Sequence, residues 1–247
     1  MATALPAGGI RPRSGKRRAR SRPANSVIWH PSPNFGPRRD GLRPRFIVLH
    51  YTAMGSAAEA LARLCDPSAE VSAHYLIDRD GTCFQMVDEE MRAWHAGAGA
   101  WAGLEDINSR SVGIELVNTG AEPFPWPQMR ALEGLLPGIM ARWSIGPEGV
   151  IGHSDMSPAR KQDPGPRFDW RALARAGHAL WPEGQGGEGD FGSSLDRIGY
   201  PPAPPEDRLA AFRARFRPEG AGPLCEKDTR RAACVAQAYD TNRRAPA

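Results

Sequence analysis

Arg45-Phe46-Ile47-Val48-Leu49-His50 is a short apolar run, rich in β-formers, that ends on a histidine. Its length and lack of polar interruption describe a buried strand. Val112-Gly113-Ile114-Glu115-Leu116-Val117 reads as a second strand, broken only by Glu115, a carboxylate that is costly there unless it is paired or faces a cleft. Helical and hairpin patterns surround these runs. Ser56 to Leu64 is a helix with Ser56 as its N-cap. His74 to Arg79, then Asp80-Gly81, then Thr82 to Val87 is a hairpin, because Asp-Gly tolerates the positive φ of a tight turn. Pro127 to Trp143 is helical, with Pro127 at its first position and a kink expected at Pro137. Val150-Ile151-Gly152 is a short strand end, and Asp169 to Gly177 a last helix. Strands interleaved with helices predict an α/β domain built on a central mixed β-sheet flanked by helices.

Composition sets the limits around this domain. The chain has 247 residues, of which 24% are charged and 40% hydrophobic, enough for one ordinary domain and a smaller second unit. Mean hydropathy is −0.49, and no apolar run approaches the roughly 20 residues of a membrane span. Residues 1–45 hold eleven Lys or Arg and one acid, a net +10 against +4 for the whole chain, so the remainder is acidic at −6. Such a stretch can attract nucleic acid or an anionic surface. Residues 1–25, rich in Arg, Pro, Ser and Gly, are instead expected to be a disordered basic leader, with no nucleic-acid partner. Arg17-Arg18 has the basic pair of a twin-arginine signal. An export signal would continue with about 7–15 apolar residues, whereas Ala19 to Ser26 is polar and basic. A cytoplasmic protein is therefore expected, or a periplasmic one if Met1 is a misassigned start.

Residues 26–182 form the main domain, residues 183–192 a flexible Gly-rich linker, and residues 193–247 a small all-α unit of three helices. Those helices are expected over Ser193–Tyr200, Glu206–Arg217 and Asp228–Tyr239, with Leu209, Phe212 and Phe216 on one face. Cys65, Cys83, Cys225 and Cys234 are too scattered for a disulfide scaffold. Free buried thiols are expected, and a local Cys225–Cys234 bridge stays open.

A catalytic zinc takes about three protein ligands and leaves the fourth position to water. Three candidates stand at strand ends and in adjoining loops, where chemistry usually lies. His50 ends the first strand, His153 follows Ile151-Gly152, and Asp163 sits in the loop Lys161-Gln162-Asp163-Pro164-Gly165-Pro166. Taken singly, each has a bland alternative as a structural or surface residue.

Taken in order, the motifs carry a family resemblance. They are Pro31-Ser-Pro-Asn-Phe35, Ile47-Val-Leu-His50-Tyr51-Thr-Ala53, Val71-Ser-Ala-His74-Tyr75, Ala93-Trp94-His95-Ala-Gly97, Asn108-Ser-Arg-Ser-Val-Gly-Ile-Glu115, Gly152-His153-Ser-Asp155 and Lys161-Gln-Asp163-Pro-Gly-Pro166. The chain resembles the zinc-dependent N-acetylmuramoyl-L-alanine amidases of the AmpD and AmiD type, whose fold is that of peptidoglycan recognition proteins. The resemblance covers about residues 26–182 and says nothing of the leader. It implies Zn2+ held by His50, His153 and Asp163, with peptidoglycan fragments (muropeptides) as substrate. It implies further that Glu115 acts as general base and acid and that Lys161 holds the developing oxyanion.

Tyr51, His74, Trp94, His95 and Asn108 are candidates for contact with substrate or for support of the ligands, as is Trp101. The helical unit resembles a peptidoglycan-binding domain through Ile198-Gly199-Tyr200 and Asp228-Thr229-Arg230; a structural cap docked on the main domain is the alternative. The implied reaction cuts the amide between N-acetylmuramic acid, or its 1,6-anhydro form, and L-alanine, in cell-wall recycling. The alternatives are a non-catalytic module that recognises muropeptides, and the same amidase acting on intact wall.

Overall fold

The computed structural model describes Met1 and residues 27–184, 186–187 and 189–244. Met1 apart, the expected leader lies outside the described residues. The strands among them are β1 (Val27–Trp29), β2 (Phe35–Pro37), β3 (Phe46–Tyr51), β4 (Tyr75–Ile77), β5 (Cys83–Gln85), β6 (Met91–Ala93), β7 (Ser111–Leu116) and β8 (Val150–Gly152). The α-helices are α1 (Ala57–Cys65), α2 (Ile107–Arg110), α3 (Trp126–Trp143), α4 (His153–Met156), α5 (Trp170–Arg175), α6 (Phe191–Ile198), α7 (Pro205–Phe216) and α8 (Glu226–Arg244). Among them, no helix is long and apolar enough to cross a membrane.

Six strands form one sheet in the order β1-β5-β4-β7-β3-β8, parallel except at the β4–β5 hairpin, so the sheet is mixed as expected. β2 and β6 make a separate antiparallel ribbon. Both faces of the sheet are covered, which is why β3 reads as an unbroken apolar run. Ile47 and Leu49, with Val112, Ile114 and Leu116 of β7, pack under Leu132, Leu136 and Ile139 of α3. Phe46 and Val48 point the other way, into a cluster with Ile151, Trp101 and the C-terminal helices. His50 continues that second face at the end of the strand.

Local chemistry sets the connections. Ser56 caps α1 by accepting the Glu59 amide. Gly81 takes φ +89° in the β4–β5 turn, where a Cβ would also stand 2.8 Å from the Pro127 carbonyl oxygen. α3 begins at Trp126, so Pro127 is its second residue, and the helix runs undivided through Pro137. Burial of Leu136 and Ile139 on either side of Pro137 offsets the lost backbone bond.

Two expectations about the C-terminal part need correction. Asp190 caps α6 by accepting the Ser193 amide, so this helix starts at Phe191, inside the stretch assigned to the linker. α8 runs on to Arg244, beyond the expected end at Tyr239. All four cysteines are free, but only Cys83 is buried; Cys65 and Cys234 are half-buried and Cys225 is exposed.

Candidate metal centre

Parallel pairing of β3 with β8 matches Leu49 to Gly152, so the next residues, His50 and His153, emerge side by side at the strand ends. Asp163 returns along the following loop, where its carbonyl accepts the Ser154 amide at 2.9 Å. His50 Nδ1 stands 2.9 Å from both His153 Nδ1 and Asp163 Oδ2, and His153 Nδ1 is 3.0 Å from the same oxygen. All three residues are buried.

The surroundings fix the tautomers. His153 Nε2 is 2.8 Å from the Ala96 carbonyl oxygen, which only accepts, so Nε2 carries a proton and the neutral ring offers its lone pair on Nδ1. Ser111 Oγ donates to the Ile107 carbonyl at 2.5 Å and so accepts from His95 Nε2 at 3.2 Å. His95 Nδ1 is then an acceptor, and the His50 Nε2–H donates to it at 3.0 Å. His50 Nδ1 is left with a lone pair as well. Two imidazole lone pairs and a carboxylate oxygen thus converge with no proton between them, an arrangement that a bound cation satisfies. Burial, with His153 adding to it, pushes His50 down to about 4, so it is neutral at neutral pH as a ligand must be. Two nitrogens and one oxygen, with a cleft on the open side, suit zinc.

β7 supplies the neighbouring groups from alternate positions. His50 is in register with Glu115, so both side chains leave the same face. Glu115 Oε2 is shielded from solvent and has no hydrogen-bond partner among the described residues. Burial, reinforced by the charge of Asp163, pushes Glu115 up to about 8, and the Lys161 ammonium opposes that rise. Two positions earlier, Gly113 makes room for His95: a Cβ there would lie 2.4 Å from the ring. A further step back stands Ser111, the hydroxyl that orients His95.

The three donors, Glu115 and Lys161 open onto one cleft of about 510 Å³, which Tyr51, Trp94, His95 and Arg160 also line. His74 and Asn108, expected near substrate, do not reach it. His74 is fully buried, accepts the Gly113 amide on Nδ1 at 2.9 Å and donates from Nε2 to Met91 O at 3.1 Å. Asn108 Oδ1 accepts the amides of His95 and Ala96 at 3.0 and 2.8 Å, so it shapes the loop beneath the cleft. Trp101 is also buried, edge-on to Tyr200 and Tyr239 at 5.1 and 6.2 Å. Sequence reasoning missed Ser111, Gly113 and Arg160. For the first two the signal was present: Ser111, Gly113 and Glu115 alternate with the apolar residues of β7. Arg160 donates to the carbonyls of Ala96 and Ala98 and so braces the loop that carries His95.

Comparison with known proteins points to a family. The profile of the family described as N-acetylmuramoyl-L-alanine amidase matches residues 40–166. AmiD of Escherichia coli is 40% identical over 159 residues, which span 58% of this chain and 56% of AmiD. AmpD of Enterobacter cloacae, a 1,6-anhydro-N-acetylmuramyl-L-alanine amidase, is 35% identical over 157 residues, 57% of this chain and 84% of AmpD. The structure of AmiD in complex with anhydro-N-acetylmuramic acid-L-Ala-D-γ-Glu-L-Lys superposes with a TM-score of 0.69 at 32% identity, over 82% of this chain and 91% of that one. AmpDH3 from Pseudomonas aeruginosa gives 0.73 at 30% identity, over 82% of this chain and 94% of that one.

Proposed function

The chain belongs to the N-acetylmuramoyl-L-alanine amidase family, and from that premise we propose that it hydrolyses the amide joining the muramic lactyl group to L-alanine in wall-derived muropeptides, with zinc as its metal. The observation that carries this reading is the meeting of His50 Nδ1, His153 Nδ1 and Asp163 Oδ2 within 3.0 Å of one another, beside an unpartnered Glu115. His50 Nδ1, His153 Nδ1 and Asp163 Oδ2 would hold the zinc ion, which would supply Lewis acidity for the scissile carbonyl and for a water that ionises near neutral pH.

The chain's own groups do the rest. Glu115 takes a proton from the attacking water and returns it to the departing alanine nitrogen. The C–N bond breaks, and once the second proton of the water has also moved to the amine the products are a lactyl carboxylate and an ammonium. Lys161, which lines the same cleft, offers its positive charge to the carbonyl oxygen as it becomes negative. Retention of both charge-handling groups beside the donors favours catalysis over simple recognition of muropeptides. Recycling of wall fragments in the cytoplasm is the setting we assign, supported by the similarity to AmpD; cell fractionation checks it, and activity confined to the periplasm would move the reaction to intact wall.

Chelation, and separately His153→Ala, should abolish release of peptide from an anhydro-muropeptide followed by mass spectrometry, with zinc restoring the chelated enzyme. Glu115→Gln should keep its zinc and lose about a hundredfold or more in rate. Undiminished turnover by metal-free protein would end the proposal. Loss of zinc from Glu115→Gln would make that residue a ligand rather than a base.

A further inference from the structure

Asp155 lies two residues beyond the ligand His153, and its buried carboxylate is held from the C-terminal helices. Oδ2 accepts the Gly152 amide at 2.8 Å and Arg215 Nη1 at 2.5 Å, while Oδ1 accepts the Tyr200 hydroxyl at 2.7 Å. Arg215 belongs to α7, and Tyr200 follows α6. The Arg215–Asp155 pair is almost fully enclosed, with side-chain exposures of 2% and 1%. The guanidinium is itself immobilised: Nη2 donates to Val150 O at 2.9 Å, and its plane lies over Trp170 at 4.0 Å. On the far side of the same turn, the Ser154 amide is bonded to the Asp163 carbonyl. The segment from Gly152 to Asp155 therefore stands between the C-terminal helices and two of the three donors.

We propose that Arg215 and Tyr200 are positioning residues for the metal centre: by clamping Asp155 they hold the turn that presents His153 and Asp163. This rests on the metal reading above. A buried ion pair adds little stability over an apolar pair of the same volume, so its contribution here is to fix one geometry. Groups that orient metal ligands from behind change metal affinity by about 10- to 100-fold when removed. The helices thus act on the site from beneath, independently of any grip on the wall.

The test measures zinc affinity by competition with a chromophoric chelator, on full-length protein, without reference to turnover. Tyr200→Phe removes one hydroxyl and keeps the ring against Trp101; zinc affinity should fall about threefold to tenfold. Arg215→Met combined with Asp155→Asn removes both charges together and should fall about 10- to 100-fold. Asp228→Asn is the control. It breaks the pairs with Arg213 and Arg217 that join α7 to α8 away from the turn, and should lower stability with affinity unchanged. If the paired variant does not fold, Tyr200→Phe decides alone. Parent affinity in the folded variants, or an equal loss in Asp228→Asn, would overturn the clamp while leaving the metal reading intact. A parent protein that binds no zinc would overturn both.

Discussion

Glu115 is a half-buried acid, its Oε2 shielded from solvent, whose proton matters before any substrate arrives. In metal-free protein its carboxyl is raised to about 8, from an ordinary value of 4.5. Between those values the unfolded chain gives up its proton while the folded chain keeps it. The cost is absent below about 4.5, grows as pH rises and is complete above about 8. Glu115→Gln, neutral throughout, escapes it. Urea unfolding of EDTA-treated protein should therefore show a stability difference that shifts in favour of the variant as pH rises from about 5 to 8. A difference independent of pH would mean that Glu115 is already ionised in the fold. At this scale the donors and Glu115 were legible because they recur in an ordered series of motifs. His74 and Asn108 were not, since a polar side chain that satisfies buried amides carries the same letter as one that faces a ligand.

β7 shows how one element serves two purposes. Val112, Ile114 and Leu116 enter the core beneath α3, while Glu115 opens onto the cleft and Ser111 and Gly113 orient and admit the His95 ring. The absent side chain of Gly113 is as necessary as the present ones, because the His95 ring occupies its place. Gly113→Ala should push that ring off the His50 Nε2–H, cost about 1–3 kcal/mol from overpacking and weaken zinc binding about tenfold or more. Calorimetric titration with zinc checks the affinity, and a value equal to the parent's would show that His95 does not orient His50. Elements with strong local chemistry were readable beforehand: the Asp80-Gly81 turn and the Ser56 cap stand where expected, although the paired strands β4 and β5 are shorter, at three residues each. The three-residue strands β1, β2 and β6 were not, because so short a strand shows no alternation and exists only by pairing with distant chain.

The whole molecule joins what composition divides. The Gly-rich stretch after residue 182 suggested a linker and a small helical unit, with docking on the main domain left open, and Phe191, Leu195, Phe212 and Tyr239 share one core with Val48, Trp101, Ile151 and Met156. The partners in that core are not legible locally. Arg215 and Asp155 are 60 residues apart, and each reads alone as an ordinary surface charge. A core common to both parts couples their unfolding, since parting them exposes the apolar cluster and breaks the enclosed Arg215–Asp155 pair. Scanning calorimetry of the full chain should therefore give one transition, with calorimetric and van't Hoff enthalpies in agreement. Because a metal that binds only the folded state stabilises whatever unfolds with its site, zinc should move that whole transition upward. Two resolved transitions, only one of them responsive to zinc, would mean that the helices are a separate domain resting against the amidase.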